Sequence, residues 1–246
     1  MASSVLTPSL RPVSLNLSGA ETQNLRRLVR RWRIALTAIN ETSRPPLIDM
    51  ILPLSVRSLS ILHGLLAISS HASERSDIDL NHHQIALTEL HAEISAANTD
   101  SNMDSIDHIL RLLSLSMLLG IFTINQCDGS WVQHNRGMLS LVRSADQSAL
   151  AQVPLGRFLM GICALQDISA LSLGRRRQSQ KAWLSWMAPR SKDRVLGDFT
   201  ALEVTVGHSE QFLDILAQIS EAADDNAHIY LQQSLFSSGN NTQGMI

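Results

Sequence analysis

Nine histidines and two cysteines are the side chains from which a metal centre or an activated nucleophile would have to be built. His83 and His91 lie eight residues apart, so both can face one side of a helix, but about 12 Å separates their backbones. Two histidines four residues apart with a carboxylate between them would hold zinc, and that spacing is absent. Asp224 and Asp225 could open a magnesium site only with a further carboxylate on the same helical face; that position holds His228, so a solvated turn is expected. Cys127 and His134 flank one turn and could be written as a thiol–imidazole pair. Nothing in the sequence orients the base, so Cys127 is expected to be a buried structural cysteine. No GxSxG elbow, Walker loop, GxGxxG or CxxC occurs. The sequence therefore leads us to expect no catalytic residue, no metal and no cofactor.

Two cationic features remain. Arg26, Arg27, Arg30, Arg31 and Arg33 crowd one helix-length segment, and Arg175, Arg176 and Arg177 with Lys181 form a shorter run. Either could act as a nuclear-import signal or touch phosphate, against the plainer reading of a solvated face. The net charge is −2, so no global positive field draws the chain to nucleic acid. Zinc fingers, a helix-turn-helix and interleaved aromatics are all missing. Direct DNA binding by this chain alone is not expected.

The elements that position these residues are helices. The chain of 246 residues has 38 Leu and 32 Ser against 10 Val and 12 Gly, a balance that disfavours sheets. Two cysteines exclude a disulfide framework and a cysteine-built structural zinc site. At this length one large domain can bury a substantial core. We expect tails over residues 1–20 and 237–246 and a helical domain over 21–236. The first twenty residues lack the apolar block of a secretory signal, although an acid-free leader before an Arg-rich segment also fits a mitochondrial transit peptide. The most apolar stretch, Leu112–Ile124, covers about 20 Å as a helix, short of the roughly 30 Å hydrocarbon core, and points to a buried helix and no membrane contact.

Spacing and caps place the helices. Ser18 and Glu21 fit a capping box ahead of Leu25, Leu28, Val29, Trp32 and Leu36, and Pro45–Pro46 ends that region. Further helices are expected from near Pro53 through Ile68, from Ser76–Asp77 through Ala97, and after Asp104 through Ile124. Another starts at Ser130, with Gln133 completing a second box, and one opens at Pro154 and ends near Gly174. A short turn surrounds Trp183–Trp186, and a last pair covers Phe199–Ala223 and Asn226–Phe236. Short connections favour an all-α, antiparallel domain of about seven to nine helices.

Five segments in this order resemble the helical regulatory domain of fungal zinc-cluster transcription factors, the fungal-specific transcription factor domain. They are Leu52–Ser73, His82–Ile94, Leu110–Val142, Phe158–Arg177 and Leu196–Ser220. The third is the most recognisable, an apolar helix leading to a Trp–x–x–His–x–x–Gly step at Trp131, His134 and Gly137. The fourth carries Asp167 where the family often has an aspartate inside an apolar helix. The resemblance spans about Pro46 to Ala223.

Trp131, His134 and Gly137 lie roughly on one helix face, which suggests a packing device. Trp131 would bury its ring, so that Trp131→Ala costs about 3–5 kcal/mol, and Gly137 would permit close helix approach. The family's DNA-binding cluster takes six cysteines, which this chain cannot supply. The resemblance thus implies a nuclear regulator of a metabolic or secondary-metabolite gene cluster that lacks its own DNA-reading head. Its partners would be other regulators or the transcription machinery, with a homo- or heterodimer as one form. The alternative is an all-α biosynthetic enzyme with an apolar interhelical cavity, in which Asp167, His134 and Cys127 would have to converge on one void.

Overall fold

In the computed structural model, helix α1 (Gly19–Leu36) starts at the expected capping box. The Ser18 backbone N–H donates to Glu21 Oε2 at 2.7 Å, and the Glu21 N–H donates to Ser18 Oγ at 3.2 Å. Two of the four N–H groups that a helix start leaves open are thereby satisfied. The structure describes residues 17–36, 47–70, 76–97, 105–127, 129–172, 179–186 and 211–223. Arg33 lies in α1, but its side chain is outside the described ones, as are Arg175–Arg177, Asp224–Asp225, His228 and the expected helix at 226–236.

The helix expected from Pro53 is broken in two and is preceded by a π-helical turn. A π-helical turn (Leu47–Ile51) runs into α2 (Leu52–Ser55), and α3 (Leu59–Ser70) follows after a turn. Pro53 sits in the first turn of α2, where its missing N–H costs nothing. Helix α4 (Ser76–Ala97) and α5 (Ile106–Asn125) follow. The cap of α5 is Ser105, whose Oγ accepts from the His108 N–H, and not Asp104. Next come α6 (Trp131–Ser144), α7 (Gln147–Gln152), α8 (Pro154–Ser172), α9 (Ala182–Trp186) and α10 (211–223). The fold is all-α. The described residues hold ten α-helices, above the expected range because short segments such as α2, α7 and α9 are separate units.

Ser130 does not cap α6 with its side chain, because its backbone is already helical and turns the hydroxyl away from the orphan N–H groups. Asp146 does cap α7, accepting from the Ser148 and Ala149 N–H groups.

Helix α5 is the centre. By length and composition it could cross a membrane, but 72% of its most apolar window is buried inside the fold, the pattern of a core helix. Helices α3, α4, α6 and α8 pack around it. Its Leu112, Leu113, Leu118 and Leu119 meet Ile61 and Leu65 of α3, Met138 and Val142 of α6, and Phe158 and Leu159 of α8 in one continuous core.

Candidate functional site

Beside the core, helices α4 and α6 leave an open groove of about 630 Å³. Leu87, Leu90, His91 and Ile94 form its α4 wall; Gln133, His134, Gly137, Ser140, Leu141 and Ser144 form the other, and Ser116 of α5 also lines it. The α6 wall owes its shape to sequence: Gly137, Ser140 and Ser144 recur at helical spacing and carry little or no side chain. Among the described residues no Asp, Glu, Lys or Arg lines the groove. It can receive an apolar ridge with a few hydroxyl and imidazole partners.

Two of the three residues of the Trp–x–x–His–x–x–Gly step reach this groove. His134 and Gly137 line it, while Trp131 is buried at 9% exposure at the start of α6. The expected part of Gly137 in close helix approach is corrected: a Cβ there would meet nothing within 4 Å. Gly120 of α5 does face α6, where a Cβ would meet His134 Cβ at 3.6 Å, an ordinary contact. The sequence spaced Gly137 correctly along α6 but held no information on which face of α6 meets α5.

Asp167 is buried in α8 and works as a staple. Its carboxylate accepts from Ser179 Oγ at 2.6 Å and from the Gln180 N–H at 2.9 and 3.1 Å, fixing the chain that enters α9. Arg143 of α6 clasps the same place, donating to Gln180 Oε1 and O at 2.6 and 3.1 Å. The ammonium of Lys181 pairs with Glu221 of α10, so this member of the second basic run belongs to the fold. Trp183, 1% exposed, donates its indole N–H to Asp214 Oδ1 of α10 at 2.7 Å. Spacing could not reveal these partners, which come from α6, α8, α9 and α10 and from the non-helical residues 179–181.

Asp167, His134 and Cys127 do not converge on the groove: only His134 lines it. Cys127 is exposed, contrary to expectation, because it follows α5 in a left-handed conformation with φ 54° and its N–H closes the last turn on Ile124 O. The buried thiol is Cys163, directed at Asn135 Oδ1. Burial, with the charge of Asp167, pushes its pKa far up, which keeps it an unreactive thiol; Arg143 opposes only in part.

The histidines separate as well. His83 stacks on Phe122 with ring centroids 4.3 Å apart, while His91 lies at the groove. The close pair is His63 of α3 with His82 of α4, whose Nδ1 atoms stand 2.9 Å apart. His82 Nε2 faces Glu21 Oε1 at 3.5 Å, tying the start of α1 to both helices. Burial lowers the pKa of both imidazoles, and for His82 the neighbouring His63 adds to it while Glu21 opposes. Hydrogen bonds from Ser18 hold the Glu21 carboxyl below its usual value. Among the described residues no cluster of three or more His, Cys, Asp or Glu could hold a metal ion.

On α1, Leu25, Leu28 and Trp32 face the core, while Arg26, Arg27, Arg30 and Arg31 are exposed. None of these four is held in an ion pair among the described residues.

No curated protein and no solved structure matches the chain. A family comparison does: the fungal specific transcription factor domain matches residues 33–241, which takes in α3 to α10, the groove and the Asp167 staple. With a match over most of the sequence and an all-helical order, this chain belongs to the fungal specific transcription factor domain family.

Proposed function

We infer that the protein is a transcription regulator of the fungal zinc-cluster class that works by protein contacts and not by catalysis. The observation that carries this reading is the family match over residues 33–241. These 246 residues hold two cysteines and cannot themselves form a six-cysteine cluster, and on this reading the domain reaches target genes through a DNA-bound partner regulator. The groove between α4 and α6 supports that route. Its row of Gly137, Ser140 and Ser144 facing Leu87 and Ile94 fits the apolar face of an amphipathic helix from such a partner. The unpaired arginine face of α1 supports nuclear import. A fungal metabolic or secondary-metabolite gene cluster is the target class that the family membership favours.

Deletion of the gene should change a defined set of transcripts, and the tagged protein should reside in the nucleus. A Gly137→Leu variant projects into the groove from a position where a new Cβ meets nothing within 4 Å, so it should stay folded and lose the transcript response. A protein confined to mitochondria or secreted, or a deletion that leaves every transcript unchanged, overturns the reading.

A further inference from the structure

A second concavity, of about 150 Å³, differs from the groove in its chemistry: it is lined by leucines and by charge. Leu54 of α2, Arg57 just after it, Asp107, Leu110 and Arg111 of α5, and Leu155 of α8 surround it. Leu54, Leu110 and Leu155 all belong to, or pack against, the hydrophobic core, so the apolar wall is fixed by the fold. The two arginines are not neutralised by it. Arg57 is exposed; its backbone N–H donates to Leu54 O at 3.0 Å, but among the described residues its guanidinium makes no hydrogen bond or ion pair. Arg111 places Nη2 3.1 Å from His108 Nδ1, while its Nε is buried with no acceptor. A buried donor without an acceptor is rare in folded proteins, and it leaves the Arg111 guanidinium short of partners for its charge. Asp107 lies one helical turn before Arg111, yet no ion pair joins it to either arginine among the described residues.

We propose that this pocket binds a compact organic monocarboxylate, with the carboxylate on Arg57 and Arg111 and an apolar body against Leu54, Leu110 and Leu155. Guanidinium forks match the planar carboxylate with two parallel hydrogen bonds, a geometry that an ammonium cannot offer. The volume fits a body of roughly six carbons, since a cavity of about 150 Å³ accepts benzene. Asp107 sets the charge limit: two cations against one carboxylate leave one net positive charge, so a dianion such as a phosphate monoester is disfavoured. A bound acid bridges α2 to α5 and α8, and so stabilises the packing of the first helices on the core.

The test is a calorimetric and NMR titration of the purified full chain with cyclohexanecarboxylate, beside its neutral isostere cyclohexanecarboxamide. The carboxylate should bind, shift amide signals around residues 54–57 and 107–111, and raise Tm. The carboxamide should not. Arg57→Gln replaces an exposed side chain that has no partner among the described residues and leaves the backbone bond to Leu54 O in place, so it keeps the fold and should weaken binding by about tenfold or more. Asp107→Asn should tighten it. Absence of carboxylate binding, equal affinity for the carboxamide, or unchanged binding in Arg57→Gln overturns the proposal. Because binding is read on the isolated chain, its failure leaves the regulatory reading standing, and the reverse also holds.

Discussion

Gly64 and Gly137 occupy comparable places, each inside a helix that borders α5, and their surroundings are opposite. At Gly64, in the seam of α3 with α5, a Cβ would come within 3.2 and 3.3 Å of Leu118 Cδ1 and Cβ and 3.4 Å of Leu115 Cδ1. At Gly137, on the groove side of α6, it would meet nothing within 4 Å. The first glycine lets two helices close and keeps water out; the second leaves room. The same residue type thus marks a shut seam in one region and an open surface in the other, and only the facing helix decides which. A regulator needs both: a core that does not yield and a face left for something else.

The sharpest contrast should appear where the closed part is deepest. Trp183→Ala removes a fully enclosed ring and leaves Asp214 without its indole donor, so a loss of about 3–5 kcal/mol is expected in denaturant unfolding. Next comes Gly64→Leu, which forces Leu118 and Leu115 aside in a packed seam and should cost about 1–3 kcal/mol or more. Gly137→Leu should stay within about 0.5 kcal/mol of the parent or exceed its stability. Equal losses at the two glycines would break the comparison.

Helix α4 runs from the closed region to the open one, and its first half adds a dependence on pH. His63 and His82 face each other through Nδ1 atoms, an arrangement that holds one donor and one acceptor but not two protonated rings. Their pKa values are lowered by burial, so near pH 6.5 the unfolded chain binds more protons than the folded one. Stability is therefore full above the usual histidine pKa and falls as the pH drops through it toward the lowered folded values. Glu21 adds a separate loss only at more acidic pH, below the usual carboxylate value, because its own pKa is lowered. Tm should decrease between about pH 7 and pH 5.5, and His63→Phe should flatten that slope by removing one of the two rings. An unchanged slope in the variant would locate the acid sensitivity elsewhere.

How much of this was legible in the residues follows the same division. The capping box at Ser18–Glu21, Pro154 at the start of α8 and the apolar run of α5 are local signals, and the helices begin and run where those signals put them. Gly137 and Cys127 depart from expectation in their surroundings, and the partners of the packing histidines are not readable from the sequence, because a contact across helices has no fixed spacing. His63 meets His82 nineteen positions on, and Trp183 meets Asp214 thirty-one positions on. Asp167 stood out as an acid inside an apolar helix, but its partners Ser179 and Gln180 sit on a returning loop that periodicity does not describe. The groove itself is a property of two helix faces that leave space between them.

The smallest effect tests that space most directly. Glycine inside a helix loses more backbone freedom on folding than alanine does, which disfavours it by about 0.5–1 kcal/mol. At a packed site that gain is cancelled by crowding, as at Gly64, where the nearest atom stands at 3.2 Å. Gly137 is exposed within α6 and free of such contacts, so Gly137→Ala should raise stability by about 0.5–1 kcal/mol. A methyl group narrows the groove far less than the leucine variant does, so the transcript response should survive in Gly137→Ala and fail in Gly137→Leu. A destabilised Gly137→Ala protein would mean that the α6 face is covered in the free chain, and the distinction between the shut seam and the open groove would then collapse.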